Sequence, residues 1–98
     1  SPDIEFAKIT TNKKELKEFI NEKVSKLSRF DESIISADVT LMLEGGNISE
    51  NKICEIRLVV PGYDEFVKKN SATFEGAVLS TVDVLQKVLH RKKAQALN

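Results

Sequence analysis

The sequence predicts an α+β domain in the order β-α-β-β-β-α: a four-stranded mixed sheet with both helices on one face. Three observations lead there. Residues 13–29 and 74–93 carry apolar side chains at spacings of three and four, the period of an amphipathic helix. Between them, residues 34–43 and 52–60 alternate apolar with polar, the period of a half-buried strand. The chain has 98 residues and 11.0 kDa, enough for one core and too little for two, so all elements share it.

Residues 3–9 read as the first strand, with Ile4 and Phe6 alternating with Glu5 and Ala7. Asn12 is placed to cap the helix that follows, with Glu15 in capping-box position. Leu16, Phe19, Ile20, Val24 and Leu27 form that helix's single apolar stripe, and 30–33 break it. In the second strand Ala37, Val39, Leu41 and Leu43 point one way, and Asp38, Thr40 and Met42 the other. A polar hairpin loop runs from Glu44 to about Asn51. In the third strand Cys54, Ile56, Leu58 and Val60 share a face. Pro61-Gly62 suits a type II turn. A short edge strand follows over 64–69, with Phe66 and Val67 both candidates for its buried side. Its Lys68 and Lys69 discourage edge-to-edge pairing. Thr73 caps the last helix. Phe74, Val78, Val82, Leu85 and Leu89 are its core stripe, and it frays after Lys93. Gly76 in its first turn costs about 1 kcal/mol of helix propensity. The strand-helix-strand start makes a right-handed crossover with parallel strands; the two later connections are hairpins, so the rest of the sheet is antiparallel.

Composition excludes several classes of function. Apolar residues make up 41% of the chain and charged residues 31%, a globular balance. Fifteen basic against fifteen acidic side chains leave net charge +0, which excludes binding by bulk positive charge. No run reaches a membrane span and no apolar segment opens the chain, so a cytoplasmic protein without a membrane role is expected. A lone cysteine, Cys54, excludes an internal disulfide and a multi-cysteine zinc site, and sits on a strand's apolar face as an inert residue. A lone histidine, His90, near a helix end and without a partner nucleophile, argues against an enzyme. No cofactor, metal site or small-molecule substrate is expected. Asn47-Ile48-Ser49 reads as a loop rather than a glycosylation site, and Gly45-Gly46 as a turn rather than a P-loop. Tyr63 is assigned to the core edge, and Asp83 to solvent or to pairing with Lys87.

The charge is uneven. Residues 1–49 hold seven basic and nine acidic side chains, a balance of −2; residues 50–98 hold eight and six, a balance of +2. From Lys87 onward there are four basic residues and no acid. On the first helix Lys17, Lys23 and Lys26 stand among glutamates that occupy a different stripe. Two helices on one sheet face can present such residues jointly to RNA phosphates.

At the level of motifs the chain resembles the ribosome hibernation promoting factor family, also called ribosome-associated inhibitor or sigma modulation proteins. Leu16-Lys17-Glu18-Phe19-Ile20 through Lys26-Leu27 is similar to the family's L-[RK]-x-[YF]-[VI]-x-x-K-[LV]-x-K-L. Ile34 through Leu41 resembles its I-x-x-A-x-V-x-L strand, and Asn51 through Leu58 its third strand. Thr73-Phe74-Glu75-Gly76-Ala77 resembles the opening of its last helix, and Val82-Asp83 through Lys93 that helix's D-x-L-x-x-x-L-x-K-x-K. The resemblance implies a fold related to the double-stranded-RNA-binding domain. It implies binding to the small ribosomal subunit in the mRNA/tRNA channel, which inhibits translation and preserves idle ribosomes. Ending at Asn98, the chain resembles the short form, monomeric off the ribosome or weakly dimeric. Matched to the family's basic positions, Lys17, Lys23, Lys26, Lys87, Arg91, Lys92 and Lys93 are the expected rRNA contacts. Val84, Val88 and His90 depart from the pattern, standing where polar or basic residues are common. Two other readings compete: a general double-stranded-RNA-binding module, and a protein-interaction module using Val84 and Val88.

Overall fold

In the computed structural model, residues 7–10, 13–45 and 49–97 are described. They form β1 (Ala7–Thr10), α1 (Lys14–Phe30), β2 (Ser36–Leu43), β3 (Lys52–Val60), β4 (Tyr63–Ser71) and α2 (Phe74–Leu97). The sheet order is β1-β2-β3-β4, with β1 parallel to β2 and the other two pairings antiparallel. The β2–β3 register sets Ala37 against Leu58, Val39 against Ile56 and Leu41 against Cys54, so the inward residues of both strands lie on one face. Both helices cover that face. Leu16, Ile20, Val24 and Leu27 of α1 join Val78, Val82, Leu85 and Leu89 of α2 and the strand residues in one buried cluster.

α1 starts on Lys13 without a side-chain cap; the Asn12 cap lies outside the described residues, as do Ile4 and Phe6 of the expected first strand. The helix ends where Asp31 adopts extended backbone and its carboxylate accepts bonds from the Ser33 N–H (3.0 Å) and Oγ (2.7 Å). A side chain that bonds its own backbone two residues on competes with continuation of the helix. α2 opens as expected, with Gly76 N–H donating to Thr73 Oγ1 at 3.0 Å.

Several expectations need correction. The second strand begins at Ser36; Ile34 is buried ahead of it and Ile35 is exposed. Leu43 is 64% exposed and Leu41 only half-buried, because β2 outruns the helices toward its hairpin end. On β4 the register decides between two neighbours. Val67 opposes Ile56 and lies under the helices, whereas Phe66 opposes Arg57 on the open face and is 59% exposed. β4 spans nine residues rather than six, since the Pro61-Gly62 turn closes immediately on Val60 and Tyr63; Gly62 has φ +91°, which suits the third position of a type II turn. Phe74 is only half-buried, and α2 continues to Leu97.

Two core features were not anticipated. Thr81 is fully buried and donates to Ala77 O (2.7 Å) and Cys54 O (3.4 Å), so its hydroxyl is satisfied within α2 and against β3. Gly76 backs onto β4: a Cβ there would stand 2.5 Å from Ser71 Oγ. The glycine therefore permits a close helix–strand approach, beyond being a propensity cost.

Candidate nucleic-acid interface

α1 and α2 pack against each other, and their facing flanks follow from helical spacing. Phe19, Lys23, Lys26 and Phe30 fall on one stripe of α1. Gln86 and His90 fall on one flank of α2, and the Phe30 and His90 rings meet at 5.9 Å between centroids. That contact fixes which flanks face each other. Above it lies a cavity of about 630 Å³, open to solvent, lined by Phe30, Asp83, Gln86, Lys87, His90 and Arg91. Its floor is aromatic and aliphatic, and its rim carries two cations.

The expected contact residues are distributed unevenly around this groove. Lys23 and Lys26 share the α1 stripe of Phe30 but do not line the cavity; Lys23 Nζ lies 5.4 Å from the Phe19 ring centroid. Lys87 and Arg91 stand on the α2 wall. Lys87 is bound to Asp83 at 3.2 Å one turn earlier, the pairing its spacing predicts, with both side chains well exposed. Such an exposed pair is weak and a phosphate can displace the carboxylate. Lys17 lies half a turn round α1 from Lys26, away from the groove. Lys92 lies on the other flank of α2, its Nζ 4.4 Å from the Tyr63 ring centroid on β4. Tyr63 is 40% exposed at the core edge, shielded by that lysine. Lys93 belongs to α2, and its side chain lies outside the described residues. The aromatic floor of Phe30 and His90 escaped the sequence reading, because it joins residues sixty positions apart. Phe30 stands where the helix pattern breaks, so only its i+7 and i+11 spacing from Lys23 and Phe19 hints at it.

The opposite sheet face carries an ion-pair network centred on Arg57. Arg57 binds Asp64 (2.9 Å) and Asp38 (3.3 Å) across three strands, and these bonds, Asp64 first, raise its already high pKa. Cys54 is fully buried, and burial pushes its thiol up to about 11, the behaviour of an unreactive core residue. Among the described residues no group of His, Cys, Asp and Glu could hold a metal ion. No helix of the described residues is long and apolar enough to cross a membrane.

Residues 4–96 match the family model described as Sigma 54 modulation protein / S30EA ribosomal protein. The chain belongs to that family. No curated protein matches it. Among solved structures, the S30EA-family chain is similar to the Protein Y N-terminal domain of Thermus thermophilus. Identity is 21%, coverage 88% of this chain and 94% of that one, and the TM-score 0.72. It is likewise similar to a ribosomal subunit interface protein from Coxiella burnetii, with 16% identity, coverage of 90% and 97%, and a TM-score of 0.76. At these identities the likeness establishes the fold.

Proposed function

We propose that this S30EA-family protein is a ribosome hibernation factor. It binds the small ribosomal subunit in the mRNA/tRNA channel, inhibits translation by occupying it, and preserves idle ribosomes. The observation that carries the reading is the groove between α1 and α2, where Lys87 and Arg91 line a cavity with Phe30 and His90, and Lys23 and Lys26 lie on the same α1 stripe as Phe30. A protein with net charge +0 has no bulk attraction for RNA; it needs such a local cluster, and the part of α2 that follows Asp83 carries no acid. Phosphates are the ligands that exposed cations at the mouth of such a groove fit, and the mechanism is occlusion, with no bond made or broken. Lys92, on the other flank of α2, and Lys17, on the far side of α1, would meet phosphates outside the groove, and Lys93 is assigned to the same interface. The protein acts in the cytoplasm, where ribosomes are.

A general double-stranded-RNA-binding module is the competing reading, favoured by two helices on one face of a sheet, an arrangement related to the double-stranded-RNA-binding domain. Co-sedimentation with small subunits separates the two. Retention on the subunit in the presence of excess naked A-form RNA duplex is the expected outcome. Complete competition by the duplex would replace the ribosome-specific reading with the general one.

A further inference from the structure

We propose that the outer edge of β4 pairs with the same edge of a second copy of this chain, antiparallel and centred on Val67. The inference is independent of ribosome binding and starts from the sheet order, which leaves β4 at an edge over all nine of its residues. Val60 and Tyr63 close a two-residue turn, so the Tyr63 backbone groups point to β3. By alternation the N–H and C=O of Asp64, Phe66, Lys68 and Asn70 point outward.

Full overlap of β4 with an antiparallel copy sets Tyr63 against the partner's Ser71, and Asp64 against the partner's Asn70. Glu65 meets the partner's Lys69, Phe66 the partner's Lys68, and Val67 the partner's Val67. Every outward-pointing backbone group then has a partner. Each acid faces a lysine or an asparagine, and no like charges meet. Phe66, 59% exposed with Arg57 6.0 Å away on one side, gains the partner's Lys68 on the other. Other registers fit less well. A slide of one residue sets open-face side chains against helix-face ones. Centring on Lys68 opposes it to the partner's Lys68; centring on Phe66 pairs Asp64 with the partner's Lys68 but leaves Glu65 and Lys69 without an opposite charge and shortens the overlap by about two residues. Lys68 and Lys69 thus repel other basic edges while matching this one.

The helix layer agrees. Lys92 lies over Tyr63 at one end of β4, and Gly76 backs onto Ser71 at the other, so the middle of α2, where Val84 stands, lies over the middle of β4. Gln86 and His90 face α1, which leaves half-buried Val84 and Val88 on the side toward the two-fold axis. In the dimer two antiparallel α2 helices lie side by side and cover these valines.

Sedimentation equilibrium of the pure protein, without ribosomes, tests this. The expected result is a monomer–dimer equilibrium across micromolar to millimolar concentrations, rising toward twice the 11.0 kDa chain mass. Glu65→Lys and Lys69→Glu singly replace two attractive pairs per dimer with two repulsive ones and weaken association about tenfold or more. The double exchange, Glu65→Lys with Lys69→Glu, restores it. Circular dichroism confirms that the exposed-edge variants are folded. A wild type that stays monomeric throughout overturns the proposal. So do single reversals without effect, or a double exchange that does not recover.

Discussion

Leu85→Ala reads the packing of the whole domain in one substitution. Leu85 is fully buried on α2, in the cluster that joins both helices to β2 and β3. Truncation removes three carbon atoms, about 2.4 kcal/mol of transfer free energy at about 0.8 kcal/mol per methylene. The cavity left behind brings the total to roughly 3–5 kcal/mol, because α1 on one flank and the sheet beneath hold α2 in place and limit collapse of the site. For a domain of this size each kcal/mol moves the melting midpoint by about 4–8 °C, so a fall of well over 10 °C is expected. Leu43→Ala is the matched control: the same atoms are removed from a side chain 64% exposed, and stability should change by no more than about 0.5 kcal/mol. Urea and thermal unfolding followed by circular dichroism measure both. A Leu85→Ala protein melting within a degree or two of wild type, or a Leu43→Ala protein losing as much, would refute the assignment of faces.

Other expectations follow from the same geometry. The Cys54 thiol, raised by burial from 9.0 to about 11, keeps its proton in the folded state over a range where the unfolded chain loses it. Its contribution is complete below pH 9 and is lost as pH rises toward about 11, amounting to roughly 3 kcal/mol at most; Cys54→Ala should flatten that part of the pH–stability curve relative to wild type, and parallel curves would contradict the shift. Thr81→Val keeps the shape of a buried side chain whose hydroxyl donates to Ala77 O. It should cost about 1 kcal/mol by denaturant unfolding, and a much larger loss would mean the contact to Cys54 O carries more than its 3.4 Å length suggests. Ribosome affinity should fall with salt at a slope of about 0.7–0.9 per phosphate neutralised, and Arg91→Lys should lose less than Arg91→Glu, since a point charge still serves a phosphate.

The fold was legible wherever one period ran long enough to declare a buried face. The stripes Leu16–Leu27 and Val78–Leu89 and the alternation Cys54–Val60 are such runs, and each is buried as its period requires. What escaped depends on partners distant in sequence. Leu43 continues a perfect alternation, but whether an inward residue is covered depends on how far the helices reach, which β2 does not encode. Phe66 and Val67 are equally apolar, and only the tight turn at Pro61-Gly62 fixes which one faces inward. Gly76 looks like a flaw in a helix until Ser71 lies against it. The basic residues of the groove were visible as charges along helices. Their grouping was not: it needs the contact of Phe30 with His90 to turn the Lys26 flank of α1 toward Arg91 and leave Lys17 on the far side of α1.

The central claim is that the exposed cations of α2, together with those of α1, hold the small ribosomal subunit. Co-sedimentation of wild type and the Arg91→Glu/Lys92→Glu variant with small subunits at moderate salt tests it most directly. Both side chains are exposed and neither is bound to an acid among the described residues, so the variant should remain folded. Loss of most of its binding is the predicted result. A folded variant that pellets with the subunit as wild type does would contradict it and remove α2 from the interface.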